Sequence, residues 1–386
     1  MAKSVVYHLF LYVVSRVDDP FEGIKSSLTD DSIDCHQIID IRFNQETYSH
    51  IREIEYSSLK YIRVIFYRKI FKELDRHIGK VVSEIPDSAK VVIYLADEGV
   101  WAELLKVILM KRGIRACTVN VQHGFFLLVR RWSEGKWSVF PRKLINTFSR
   151  VLTGYPVFGL AFGRGGFDVY LCYGEREKTF LLDAGNKNVY VCPKLIKSNL
   201  WHRYQKALKN QVETQDQENV LIAMPACVPG SEIKCDLNAF MEMMCPLIMI
   251  LVKDLKINVI VRFHPGRDKN ECNRCLSYAG VSGLVQIDES SDVAEGISKS
   301  VAVIAAHSTV LFEAALLGKV PIAVRSRCFR GNLPYKHEIV DVNMNYREML
   351  VNSLANVTRK RYSSTMAEYE FNWVDKLQEV VGIAVT

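Results

Sequence analysis

Neither of the glycine-rich signatures that cradle nucleotide phosphates occurs in this sequence: no G-x-G-x-x-G follows an expected strand, and no G-x-x-x-x-G-K-[ST] is present. A dinucleotide-dependent dehydrogenase and a P-loop NTPase are thereby disfavoured. Long apolar runs are lacking too, since none reaches the roughly 18 residues that a bilayer-spanning helix needs. The opening Met1-Ala2-Lys3 leads into Ser4 to Val14, which is short, aromatic-rich and without a small-residue cleavage site. It reads as a first buried strand and not as a leader. Cysteine occurs ten times but in no framework, and Cys117, Cys172, Cys192 and Cys245 sit in apolar runs. Reduced thiols in a cytoplasmic protein are the simplest reading. Cys272-Asn273-Arg274-Cys275 has zinc-type spacing, but no second pair completes a tetrahedral site, so neither a metal nor any other cofactor is expected. Nucleic-acid binding is disfavoured as well, because the charge is modest and no recognised module appears.

What is present is the material of a large soluble core. Of 386 residues, 49% are hydrophobic and 24% charged, which excludes a mainly disordered chain. The length suggests two domains. Strands and helices alternate from end to end. Val91 to Ala96 reads as a strand ending at Asp97-Glu98-Gly99, Val100 to Arg112 as a helix closed by Gly113, and Ala116 to Val121 as a strand ending at Gln122-His123-Gly124. That is a parallel βαβ unit, whose two strands end on the same edge. Strands are expected again at Phe167 to Tyr173 and Asn188 to Val191. The glutamine-rich stretch from about Gln205 to Asn219 reads as the domain boundary. Beyond it the pattern repeats: strands at Val220 to Met224, Ile257 to Phe263, Leu284 to Ile287, Val301 to Ala305 and Val320 to Val324, with helices at Leu237 to Leu255 and His307 to Leu317. The expectation is an α/β protein of two Rossmann-like domains with parallel sheets, residues 1–205 and 219–386, and C-terminal helices that cross back.

The first half carries an insertion of its own, about residues 125–166. Arg130, Arg131, Lys136, Arg142, Lys143, Arg150 and Arg164 stand there against Glu134 alone, interleaved with Trp132, Trp137, Phe140 and Phe148. Two readings stay open. Either the aromatics pack inward in a solvated subdomain, or residues 127–164 rest on an anionic membrane surface or grip an anionic acceptor.

Four polar groups fall where strands give way to loops, the place where open α/β sheets bind ligands. Pro265 and Gly266 end the strand Ile257 to Phe263 at His264, next to Arg262. His307, Ser308 and Thr309 open a helix directly after the strand Val301 to Ala305, so exposed N–H groups and two hydroxyls offer an anion site there, with Glu313 a turn later within reach of ribose hydroxyls. Plain N-capping by Ser308 is the structural alternative. Asp97, Glu98 and His123 are candidate general bases, since a carboxylate or imidazole accepts the proton of an attacking hydroxyl.

Together these groups resemble the GT-B glycosyltransferases of bacterial surface polysaccharides. Asp97-Glu98-Gly99, His264-Pro265 and Ser308-Thr309 look like the three motifs of bacterial sialyltransferases and polysialyltransferases. Gln122-His123-Gly124 with His264-Pro265 is similar to the CDP-glycerol glycerophosphotransferases of teichoic-acid synthesis. The first resemblance implies a metal-independent, GT-B-like transferase that moves sialic acid or a related acidic sugar from a CMP-activated donor to a glycan or glycolipid hydroxyl of capsule or lipopolysaccharide. In it an acid of the first motif is the base, His264 of the His264-Pro265 pair supports the departing phosphate, and Ser308 and Thr309 bind it; from its place beside His264, Arg262 is expected to stabilise the same charge. The second implies a CDP-polyol donor and His123 as base. UDP-sugar 2-epimerases share the two-domain architecture and are a further alternative, and a membrane-surface scaffold is the non-enzymatic one. The expected location is cytoplasmic, including the inner face of the cell membrane.

Overall fold

The computed structural model describes residues 5–12, 21–30, 36–42, 72, 75–87, 89–96, 99–122, 144, 147–151, 163, 165–196, 198–210, 219–224, 237–264, 268–290, 292–306, 308–325, 338–341 and 346–359. They fall into two compact units, the second beginning at Ser198.

The first unit contains β1 (Val6–Tyr12), α1 (Glu22–Asp30), β2 (His36–Arg42), β3 (Lys90–Leu95), α2 (Gly99–Arg112), β4 (Cys117–Val121), β5 (Val169–Cys172), α3 (Glu175–Asp183), β6 (Val189–Val191) and α4 (Pro193–Ile196). Its six strands form one sheet in the order β2-β1-β3-β4-β5-β6, and every pairing is parallel. Parallel sheets need cover on both faces, which is why β3 from Val91 onward and β5 read as unbroken apolar runs. One face lays Leu9, Ile93, Leu95, Tyr170 and Cys172 against Leu104, Leu105 and Ile108 of α2 and Leu181 of α3. On the other, Phe10 stacks on Tyr94 at 4.4 Å between ring centroids and meets Phe21 at 5.2 Å. Burying each such side chain contributes about 1.5–3 kcal/mol. Gly113 closes α2 at φ 65°, a left-handed position that glycine enters without strain.

The second unit contains α5 (Ser198–Asn210), β7 (Asn219–Ala223), α6 (Leu237–Met249) with a π turn at Ile250–Asp254, β8 (Asn258–Arg262), α7 (Lys269–Tyr278), β9 (Gln286–Ile287), α8 (Val293–Ser298), β10 (Ala302–Ala305), α9 (Thr309–Leu316), β11 (Val320–Arg325), β12 (Glu338–Asp341) and α10 (Tyr346–Arg359). The sheet order is β12-β11-β10-β7-β8-β9, again wholly parallel. Counted from β7, this is the doubly wound order in which the chain runs outward from the middle in one direction and then in the other. Side chains alternate between two cores. Val220, Ile222, Val259, Val261 and Ile304 face Phe240, Met244 and Leu247 of α6 and Cys272, Cys275 and Leu276 of α7. Leu221, Ala223, Ile260, Val303 and Ala305 face α5, α8 and α9.

Several elements depart from the sequence reading. The second unit begins at Ser198, ahead of the glutamine-rich stretch, because Leu200, Tyr204 and Ala207 lie one helical turn apart on a buried stripe that carries α5 through to Asn210. The acidic stretch after β1 holds α1 and the edge strand β2, in which only Ile41 is buried and no alternation marks it. The expected helix to Leu255 widens into a π turn after Pro246, which cannot donate a ladder hydrogen bond. Strand β12 precedes the C-terminal helix α10. Residues beyond 359 lie outside those described, so the expected crossing back of C-terminal helices does too. Cys272 and Cys275 occupy one turn of α7 with both thiols turned into the core, and among the described residues no group of three or more His, Cys, Asp and Glu gathers as metal ligands do.

Candidate functional site

In the second unit the direction of winding reverses between β7 and β10, and such a reversal leaves a crevice beyond the carboxyl ends of the strands. The register aligns Arg262, Ala223, Ala305 and Ala323 in one row across β8, β7, β10 and β11. Neighbouring strands lie about 4.8 Å apart, so the segments leaving β8 and β10 flank the crevice about 10 Å from each other. His264 follows β8 by two residues and is exposed. Ser308 and Thr309 follow β10. Pro265, Gly266 and His307 lie outside the described residues.

Ser308 is the N-cap of α9, with extended backbone (φ −154°, ψ 145°) and Oγ accepting from the Val310 N–H at 3.3 Å. The capping reading therefore holds. Capping uses one N–H of the first turn, and Thr309 is half-buried. Glu313, expected from the sequence to come within reach of ribose hydroxyls, is buried.

Arg262 is also buried, and its guanidinium is engaged. Nη1 donates to Asp288 Oδ2 at 2.7 Å and to the Oγ and carbonyl oxygen of Ser290 at 3.0 and 3.1 Å. The other Asp288 oxygen accepts from the N–H of Ser290 at 3.1 Å and from its hydroxyl at 2.5 Å. Asp288 Oδ2 further lies 2.5 Å from where a Cβ on Gly296 would stand, so α8 approaches this carboxylate through a glycine. These residues fasten the end of β8 to the segment after β9. Sequence reasoning missed Asp288, Ser290 and Gly296, because an Asp-x-Ser in a loop reads as ordinary turn chemistry.

In the first unit, β3 and β4 are adjacent and parallel and run to Leu95 and Val121. Asp97, Glu98 and His123 follow those ends in sequence and lie outside the described residues. Gln122 is described and fully buried. Its Oε1 accepts from the N–H of Tyr173 at 2.9 Å, and its own N–H donates to the Leu171 carbonyl at 2.9 Å. The glutamine before His123 thus ties the end of β4 to the end of β5. Asn120, one residue before the end of β4, is buried with its amide nitrogen unpartnered among the described residues.

The same sheet carries a buried imidazole. His8 on β1 is 3.0 Å from Tyr94 Oη through Nδ1 and 2.9 Å from His36 Nδ1 through Nε2. Burial, with the facing His36 second, lowers its pKa from 6.5 to about 3. Burial likewise pushes the Cys117 thiol up to about 12, with Asp168 adding to it. Both groups are neutral at physiological pH, which fits a structural place in the core.

No known family pattern matches the chain, and no curated protein matches it in sequence. Solved structures do match it in fold. The UDP-N-acetylglucosamine 2-epimerase of Rickettsia bellii superposes with a TM-score of 0.56 over 99% of this chain and 97% of that one, at 11% identity. The UDP-GlcNAc 2-epimerase of Neisseria meningitidis, solved with UDP-GlcNAc bound, gives 0.54 over 98% and 99%, at 12% identity. The α,α-trehalose 6-phosphate synthase of Burkholderia multivorans gives 0.55 over 99% of both chains, at 9% identity. The fold is accordingly of GT-B type, an α/β architecture with two parallel sheets.

Proposed function

We propose that this chain is an enzyme acting on a nucleotide-activated sugar, and that among such enzymes it works as a UDP-sugar 2-epimerase does. The observation that carries this reading is the second sheet: its winding reverses between β7 and β10, and His264 and the Ser308-Thr309 turn leave β8 and β10, the two strands that flank β7. The donors of that edge suit an anionic leaving group, because exposed N–H groups at a helix start and a histidine stabilise phosphate charge as it develops. Whole-length similarity to the epimerase solved with UDP-GlcNAc supports uridine as the nucleoside. Thr309, His264 and the preceding His307 are assigned to the phosphates, and Asp97, Glu98 and His123 remain the candidates for the proton-transfer group. Arg262 takes a positioning role through Asp288 and Ser290, in place of the direct phosphate contact expected from the sequence.

Inversion at C2 of a nucleotide sugar requires a base that takes the C2 proton as the nucleotide leaves, a second group that delivers a solvent-derived proton to the opposite face as the nucleotide returns, and a phosphate-binding edge that holds the nucleotide meanwhile. The second reading, transfer from a CMP-activated donor, uses the same two parts with an acceptor hydroxyl as the proton source. Its support is the order of Asp97-Glu98-Gly99, His264-Pro265 and Ser308-Thr309 along the chain.

Proton NMR of the chain incubated with UDP-GlcNAc in deuterated water decides between them. Appearance of the C2 epimer with deuterium at C2 is the expected outcome. No exchange with UDP-GlcNAc, together with CMP release from a CMP-activated acidic sugar and a glycan acceptor, refutes the epimerase reading in favour of the second.

A further inference from the structure

We propose that the first unit carries a membrane-docking face, formed by Leu144, Phe148 and Val151, which seats the protein on an anionic lipid bilayer. Residues 144 and 147–151 are helical, and these three side chains are 61%, 68% and 79% exposed. Phe148 and Val151, three residues apart, share one stripe of the helical residues 147–151, and Leu144 precedes Phe148 by the four residues of a further turn in sequence. Single exposed apolar side chains are ordinary on a soluble protein, whereas a succession at helical spacing marks an amphipathic face, and no described residue covers this one. The opposite side is held down: Ser149 is buried, and Arg150 donates through Nη2 to Glu103 of α2 at 2.6 Å. The apolar stripe is therefore presented outward from a fixed base.

Charge selects the occupant. From Arg130 to Arg164 the sequence places seven basic residues against Glu134 alone, so this stretch carries nearly all of the chain's net charge of +7. A soluble polyanion would satisfy those charges but offers nothing to Leu144, Phe148 and Val151. An anionic bilayer meets both, with apolar side chains entering the boundary between headgroups and acyl chains and basic neighbours pairing with the headgroups. Among the described residues no helix is long and apolar enough to cross a membrane, so the contact proposed is lateral. The proposal is independent of which nucleotide sugar the protein uses.

The test is co-sedimentation of the full chain with vesicles of phosphatidylcholine alone and of equimolar phosphatidylcholine and phosphatidylglycerol. The expected result is pelleting with the mixed vesicles, about tenfold weaker with phosphatidylcholine alone, and lost as salt is raised. The triple variant Leu144→Ser, Phe148→Ser, Val151→Ser should weaken binding about tenfold while its circular dichroism and melting temperature stay at wild-type values. Should that variant fail to fold, Arg142→Gln with Lys143→Gln supplies the second reading, expected to weaken binding severalfold and to flatten its salt dependence. Absence of pelleting with mixed vesicles at low salt overturns the proposal. So does undiminished binding by folded variants, or a wild-type dimer in sedimentation velocity that the triple variant abolishes while no vesicle binding is seen, which would assign the face to a second copy of the chain.

Discussion

Replacing Arg262 by methionine separates a positioning role from direct phosphate binding. Its side chain and that of Asp288 are 10% and 5% exposed, and their ion pair is 2.7 Å long. Removing one partner of a buried pair typically costs about 3–5 kcal/mol, because the other charge stays buried without compensation. Asp288 keeps its two hydrogen bonds from Ser290, which places the expected loss near the lower end, about 3 kcal/mol. For a unit of this size that corresponds to a fall in melting temperature of about 6–12 °C. Combining Arg262→Met with Asp288→Asn removes both charges while keeping an acceptor for Ser290, and should recover about 1–2 kcal/mol of the loss. Equilibrium urea unfolding followed by circular dichroism measures all three proteins. The reasoning fails if Arg262→Met changes stability by less than about 1 kcal/mol, or if it leaves stability intact and abolishes stabilisation by nucleotide. The second result would return Arg262 to the phosphate.

Other consequences follow from single contacts. Gly296→Ala would drive a methyl group to 2.5 Å from Asp288 Oδ2, so it should destabilise the second unit by about 1–3 kcal/mol in the same urea assay, and the same substitution should cost less when made in an Asp288→Ala background. Ser308→Ala removes the cap of α9 and should cost about 1 kcal/mol, while Ser308→Gly should cost a few tenths, as scored by melting temperature. His8 is held neutral in the fold to about pH 3 but takes up a proton near 6.5 when unfolded. The unfolded chain thus binds more protons between those values, and stability falls as pH drops from 6.5 toward 3 by up to about 1.4 kcal/mol per pH unit from this group alone. His8→Gln should flatten the measured slope by that amount across the window, and an unchanged slope would show that His8 is not the group responsible.

The parallel strands were legible in the sequence because burial on both faces writes them as unbroken apolar runs, as in Val91 to Leu95 and Val301 to Ala305. The edge strand β2 was not: it buries Ile41 alone and leaves no periodic trace, whereas the two residues of the edge strand β9 lie within the expected Leu284 to Ile287. The start of the second unit was misplaced because the polar composition around Gln205 hides the stripe Leu200, Tyr204 and Ala207, which is visible at helical spacing. For the site, the positions of His264, Ser308 and Thr309 could be inferred from where apolar runs stop, since strand ends in a parallel sheet share an edge. What could not be inferred was that Arg262 is spent on Asp288, a partner 26 residues away that comes near only through the pairing of β8 with β9. Gln122 shows the same limit: beside His123 it reads as part of a motif, and in the fold it fastens β4 to β5.

The most direct test of the central claim is thermal denaturation with a panel of UDP, UMP, CDP and CMP, applied to the wild-type chain, to His264→Ala and to Thr309→Val. A nucleotide at a hundredfold excess over its dissociation constant stabilises the native state by about 2.7 kcal/mol, or about 5–10 °C here. Stabilisation of the wild type with UDP foremost, reduced severalfold in both variants, is the result the account predicts. A wild type that none of the four nucleotides stabilises, or variants that respond as fully as the wild type, would contradict it.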